Sequence, residues 1–169
     1  MVRGGFRVSL AALALSCGVA AQAQPDVAAS SFAAMKGLVG VWQVADKPAS
    51  TLRIRFYLTA GGTVLVESWE RAGQPYSLTL YHRDGAGLIA THYCPQGNQP
   101  RLALAPNGTT RDIRFAFRDA TDLDAEHEAY LVALAFDLSN PAMLLRRESY
   151  REHGVDSPTE LKLVRDQGR

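Results

Sequence analysis

Apolar and polar side chains alternate residue by residue over much of this chain, and short turn sequences separate the alternating segments. In residues 52–58, leucine, isoleucine and phenylalanine occupy every second position, with arginines and a tyrosine between them. A period of two is typical of a β-strand that buries one face. The chain is therefore predicted to be all-β over most of its length.

Glycine, asparagine and proline interrupt these segments at roughly the 8–12-residue spacing of hairpin-linked strands. The pattern predicts about ten strands, which begin near Val39, Thr51, Thr63, Tyr76, Gly87, Arg101, Thr110, Tyr130, Ala142 and Ser157. No crossover helices separate them, so the sheet is antiparallel and must close or pair to hide its edges. We expect a closed or nearly closed antiparallel barrel with one short N-terminal helix.

The predicted helix lies between Ser30 and Gly37, with Ser30 or Ser31 as its N-cap and Gly37 or Gly40 as its end. A second segment, residues 126–136, is rich in alanine and leucine and favours a helix by propensity. Strict alternation from Tyr130 to Phe136 outweighs that propensity, so a strand is predicted there.

The first 23 residues have the pattern of a secretory signal peptide. Arg3 and Arg7 precede an apolar stretch of about 14 residues, which is shorter than the roughly 20 that span a bilayer. Ala21-Gln22-Ala23 then forms a cleavage site, so the mature domain is predicted to cover residues 24–169 in the periplasm or outside the cell. Lipidation at Cys17 is the less favoured alternative, because Ala14 stands where lipoprotein sites carry leucine.

Composition excludes several classes of function. Eighteen basic and 17 acidic residues nearly balance, so the sequence shows no basic surface for nucleic acid or an anionic membrane. Cleavage after Ala23 leaves Cys94 as the one cysteine, which excludes an internal disulfide. No segment is predicted to cross a membrane, and the oligomeric state is left open.

Two groups of residues resemble a known superfamily. Gly40-Val41-Trp42, after a short helix and before a run of hairpins, resembles the calycins, which include lipocalins and fatty-acid-binding proteins. Thr91-His92-Tyr93-Cys94 and Asn98-Gln99-Pro100-Arg101, together with His127, are similar to an uncharacterised bacterial family of exported lipocalin-like proteins, over residues 32–166. The resemblance implies that Trp42 closes one barrel end beneath a basic side chain, for which Arg146, Arg147 and Arg165 are candidates. The chain lacks the paired cysteines of typical lipocalins.

Glu67 is the strongest candidate for a polar residue inside the barrel. It lies in an apolar strand on the face that carries Leu65 and Trp69. An unpaired buried carboxylate costs several kcal/mol, so Arg101, Arg53 or Arg55 is predicted as its partner. The alternative is that Glu67 faces solvent, while Asn98 and Gln99 only stabilise a turn.

His92 and Cys94 are two residues apart and therefore share one face of a strand. They form either a thiol–imidazole pair for catalysis or a buried cysteine beside a histidine that a neighbour satisfies. The four histidines show no metal-ligand spacing. A haem held by His127 or His92 remains an alternative, although no cofactor is predicted.

These observations favour an exported binding protein that holds a small, hydrophobic or amphipathic molecule in a barrel cavity. Its predicted cavity residues are Trp42, Glu67, Trp69, Tyr81, His92, Cys94, Gln99, Arg101 and His127. Phe56, Leu78 and Leu80 would add apolar wall. The alternatives are a haem-binding calycin barrel, an enzyme that uses His92, Cys94 and Glu67, and a structural protein with a filled barrel.

Overall fold

The computed structural model describes Met1 and residues 26–168. The predicted signal-peptide cleavage site after Ala23 and the alternative lipidation site at Cys17 lie outside this part of the chain. One helix, one short 3₁₀ turn at Ala60–Gly62 and ten strands follow from Val27 onward. The helix is α1 (Val27–Lys36), and the strands are β1 (Gly40–Val44), β2 (Leu52–Thr59), β3 (Val64–Arg71), β4 (Gln74–Asp84), β5 (Gly87–Tyr93), β6 (Gln99–Leu104), β7 (Asp112–Thr121), β8 (Tyr130–Asn140), β9 (Met143–Glu152) and β10 (Val155–Arg165).

The strands form a closed antiparallel barrel, as predicted. Each strand pairs with the next along the chain, and β1 pairs with β10 to close the sheet. Every predicted strand start lies within two residues of the observed one. Closure pairs the edges that a ten-stranded meander would otherwise expose.

Most of the alanine-rich segment forms strand β8, so the strand predicted from the alternation is confirmed, despite the helix propensity of the segment. A β-bulge between Leu131 and Ala133 shifts the pattern at its start. Leu131, rather than Tyr130, therefore shares the buried face with Leu134 and Phe136.

The predicted N-cap of α1 is wrong. Asp26 caps the helix, because its Oδ1 accepts a hydrogen bond from the Ala29 amide at 2.8 Å. Ser31 lies inside the helix and is buried. Gly37 ends the helix as predicted, and its amide donates to the Ala34 carbonyl.

The barrel end beside α1 is closed by Trp42. Its indole Nε1 donates to the Leu38 carbonyl at 2.8 Å, and the Arg165 guanidinium lies 4.2 Å from the ring centroid. Arg165 also donates to the Gly37 carbonyl at 2.7 Å. Of the three candidate arginines, Arg165 therefore covers the tryptophan. Gly40 has a φ of 131°, and a Cβ there would collide with Arg165 Nη1, so glycine permits this approach.

The interior next to this closed end is a packed apolar core. Phe56 and Phe136 meet edge to face at 6.3 Å, and Tyr81 lies 5.6 Å from Phe115. Trp42, Phe56 and Tyr81 are therefore core residues rather than walls of an empty cavity.

The prediction that Leu78 and Leu80 face the interior of the barrel is wrong, whereas Tyr81, which was also predicted to be inside, does face it. Thr79 and Tyr81 are fully buried inside the barrel, whereas Leu78 and Leu80 lie on the outer face and are partly exposed. The reason is that the interior at this level is polar, so the hydroxyl-bearing side chains of β4 find hydrogen-bond partners there.

Candidate functional site

A buried ion pair joins opposite sides of the barrel above the apolar core. Glu67 on β3 and Arg146 on β9 are both almost fully buried, and Arg146 Nε donates to Glu67 Oε1 at 2.6 Å. Trp69 Nε1 donates to the same oxygen at 2.7 Å, and the Tyr81 hydroxyl donates to Oε2 at 2.5 Å. Both carboxylate oxygens of Glu67 are thus satisfied, as a buried charge requires.

Arg146 also contacts a second carboxylate. Its Nη1 donates to Glu148 Oε2 at 2.5 Å, and its guanidinium lies 4.7 Å from the Trp69 ring centroid. Burial alone would lower the pKa of Arg146, but the charges of Glu67 and Glu148 hold that pKa above its usual value. The guanidinium therefore stays charged.

The predicted partners of Glu67 are wrong. Arg53, Arg55 and Arg101 form ion pairs elsewhere, with Asp166, Glu70 and Asp119 respectively. Arg53 and Arg55 alternate with the buried residues of β2, so they lie on the outer face. The charged partner of Glu67 is Arg146, which comes from β9 across the barrel.

His92 lies beside this ion pair and is held between two hydroxyl groups. Its Nδ1 is 2.9 Å from Thr79 Oγ1, and its Nε2 is 3.2 Å from the Tyr150 hydroxyl. Burial and the charge of Arg146 lower the pKa of His92 to about 4, so the imidazole is neutral at neutral pH.

A cavity of about 230 Å³ opens above these groups at the barrel end opposite α1, which we call the mouth cavity. It is bounded by β3, β4, β5 and β9 and by the loop after β5, through Trp69, Arg71, Tyr76, Ser77, His92, Cys94, Pro95, Gln96, Glu148 and Tyr150. Three predicted cavity residues, Trp69, His92 and Cys94, line it. Glu67 and Tyr81 lie beneath it.

The remaining predicted site residues lie away from the mouth cavity. Trp42 is at the closed end of the barrel. The Gln99 side-chain amide donates a hydrogen bond to the Gly97 carbonyl and accepts one from the Thr121 hydroxyl. Arg101 forms an ion pair with Asp119 on the surface. His127 is 74% exposed and contacts Asp124 in the loop after β7.

Arg146, Glu148 and Tyr150 are functional candidates that the sequence analysis did not assign to the cavity. All three lie on β9 at alternate positions and so share the interior face with Leu144. Both faces of β9 carry charged residues, so alternation alone does not show which face is buried. Leu144 and Leu145 also place an apolar residue on each face, so the sequence of β9 carries no signal for its interior face.

His92 and Cys94 lack the features of a catalytic pair. Burial raises the pKa of the Cys94 thiol, whereas an activated cysteine needs a lowered one. Both nitrogens of His92 already contact hydroxyl groups, so binding haem iron there would displace Thr79 or Tyr150. His127, the other predicted haem ligand, is exposed on a surface loop.

A larger depression of about 490 Å³ lies on the outer wall of β7, β8 and β9. Its lining includes Ala116, Ala133 and Ala135, and the Arg147–Glu160 ion pair borders it. Of the buried network it reaches only Glu148, which lines the mouth cavity as well. The mouth cavity, where the buried network ends, is therefore the candidate site.

Comparisons with known proteins add no assignment: no family model matches this chain, and neither does any curated protein. Within residues 26–168, no three histidine, cysteine or acidic side chains converge on a possible metal site. The only helix of that part, α1, is too short to cross a membrane.

The neutral state of His92 predicts a pH-dependent stability. In the unfolded chain the pKa of the His92 imidazole is about 6.5, whereas in the folded protein it is about 4. The unfolded state thus binds more protons between these values, so stability falls as pH decreases from about 6.5 to 4, by roughly 3 kcal/mol. Urea unfolding of wild-type and His92→Gln protein across this range measures the effect. If the free energy of unfolding changed equally with pH in the two proteins, this prediction would be contradicted.

Proposed function

We propose that this protein is an exported, lipocalin-like binding protein that holds a small, partly apolar molecule in the mouth cavity. The observation that carries the proposal is the cavity itself, with aromatic walls from Trp69, Tyr76 and Tyr150 above a fixed polar floor. Ligand sites combine apolar walls with a few positioned polar groups in this way.

The size of the cavity limits the ligand. Its 230 Å³ is below the range of about 300–1,000 Å³ for drug-sized ligands. The packed core beneath it prevents a long chain from entering the barrel. We therefore expect one small ring or a short branched molecule rather than a fatty acid.

Mass spectrometry tests this proposal on protein exported with its own signal sequence. We expect an added mass under native conditions that disappears on denaturation. The Ser77→Trp variant fills the mouth cavity and should lose this mass. Ser149→Trp, which places the same side chain on the outer wall, should keep it.

Thermal unfolding with a mixture of small organic compounds provides the second measurement. A ligand that binds only the folded state raises Tm by mass action. The proposal is contradicted if the protein carries no added mass and no compound raises its Tm. Loss of the added mass in both tryptophan variants would also contradict the assignment to the mouth cavity.

A further inference from the structure

We infer that the mouth cavity selects a small organic cation, namely an amine attached to a compact apolar group. This inference rests on the proposed binding function and specifies its ligand class. The juxtaposition behind it is an incompletely neutralised carboxylate, Glu148, at the base of a cavity with three aromatic side chains.

The buried charges do not balance. Glu67 and Glu148 contribute two negative charges, and Arg146 contributes one positive charge. His92 does not compensate, because burial and the Arg146 charge keep its pKa near 4. One negative charge therefore remains in the cluster at neutral pH.

Glu148 is the carboxylate available to a ligand. Both oxygens of Glu67 accept short hydrogen bonds from the protein. Glu148 Oε2 accepts one from Arg146, whereas Oε1 has a single distant donor, Thr159 Oγ1 at 3.5 Å. The Glu148 side chain is 15% exposed and lines both the mouth cavity and the outer-wall depression, so its carboxylate can accept a hydrogen bond from an ammonium group bound in the mouth cavity.

The aromatic walls add to this preference. The faces of tryptophan and tyrosine rings attract cations, most strongly where water is excluded. Two rings of this site already make a cation–π contact within the protein. The Arg146 guanidinium lies 4.7 Å from the Trp69 ring centroid, and the Arg71 guanidinium lies 4.3 Å from the Tyr76 ring centroid. Tyr150 lies beside Glu148. Burial of the Tyr150 phenol and, as the second cause, the charge of Glu148 raise its pKa.

Arg71 is the opposing charge on the cavity lining. It is exposed at the rim, where solvent and salt screen its charge. Glu148 lies deeper and is screened less. An anionic ligand near the cavity floor would meet the excess negative charge, so the balance favours a cation.

Three probes of similar shape test the inference: benzylammonium, benzyl alcohol and benzoate, each titrated calorimetrically into the wild-type protein at neutral pH. Benzylammonium should bind about tenfold more tightly than benzyl alcohol, and benzoate should bind most weakly. Glu148→Gln keeps the shape of the side chain and should abolish this preference. Glu160→Gln removes a carboxylate from the outer wall and should retain it.

Arg71→Gln provides an independent check if the Glu148 variant does not fold. It removes the rim cation and should strengthen benzylammonium binding and weaken benzoate binding. Benzyl alcohol or benzoate binding as tightly as benzylammonium would overturn the inference and leave the proposed function intact. If none of the three probes binds, no bound molecule is found by native mass spectrometry and no compound raises the Tm, both the inference and the proposed function fail.

Discussion

Replacing Arg146 by methionine is expected to lower the free energy of unfolding by about 3–5 kcal/mol. The variant leaves Glu67 fully buried with Trp69 and Tyr81 as donors but with no opposing charge. It also removes the buried partner of Glu148. Urea unfolding monitored by circular dichroism at neutral pH measures the loss.

The adjacent residue provides the matched control. Arg147→Met makes the same change one position further along β9, where the side chain lies on the outer face and pairs with exposed Glu160. We expect a loss of about 0–1 kcal/mol there. Adding Glu67→Gln to Arg146→Met removes the uncompensated charge and should recover part of the stability. If the two arginine variants were equally stable, the Glu67–Arg146 pair would not have the structural role assigned to it.

Replacing Trp42 by alanine is the second substitution with a large expected effect, about 3–5 kcal/mol. The change removes a buried indole from the closed end and leaves Arg165 without its aromatic contact. Trp42→Phe retains a ring beneath Arg165 and loses the hydrogen bond to Leu38, so its cost should be nearer 1 kcal/mol (about 0.5–1.5) plus a small packing loss. Thermal and urea unfolding of both variants measure these differences.

Tyr57→Ala serves as the control for aromatic truncation. Tyr57 lies on the outer face of β2 and is 42% exposed, so its removal should change stability by no more than about 0.5 kcal/mol. Equal losses in Trp42→Phe and Trp42→Ala would show that the indole hydrogen bond, rather than the ring beneath Arg165, closes this end of the barrel.

Strands and their order could be predicted because the signals for them are local. Alternation in β2 and turn sequences such as Gly61-Gly62 act over a few residues, so each strand and hairpin is determined by its own segment. Because short hairpins link the strands, each strand pairs with the next one along the chain, and the sheet is a meander. The bulge in β8 was not predictable, because its sequence alternates without interruption.

The inward face of a strand was predictable only where hydrophobicity differs between its two faces. In β2, apolar Ile54 and Phe56 are buried, whereas charged Arg53 and Arg55 lie on the opposite face, so the predicted face of this part of the strand is confirmed. In β4 the more polar face is buried, because Thr79 and Tyr81 bond His92 and Glu67. Burial of a polar face depends on partners from other strands, and a single segment carries no information about them.

By itself, the sequence determined that this chain forms an antiparallel meander, that Trp42 lies near its start, and that Glu67 shares a face with apolar residues. Only the tertiary structure decided that Arg146 is the partner of Glu67 and that the polar groups converge at the mouth. Barrel closure brings together side chains 79 positions apart. Their pairing depends on the register of every strand between them, and a shift of one residue in any strand would turn its interior side chains outward.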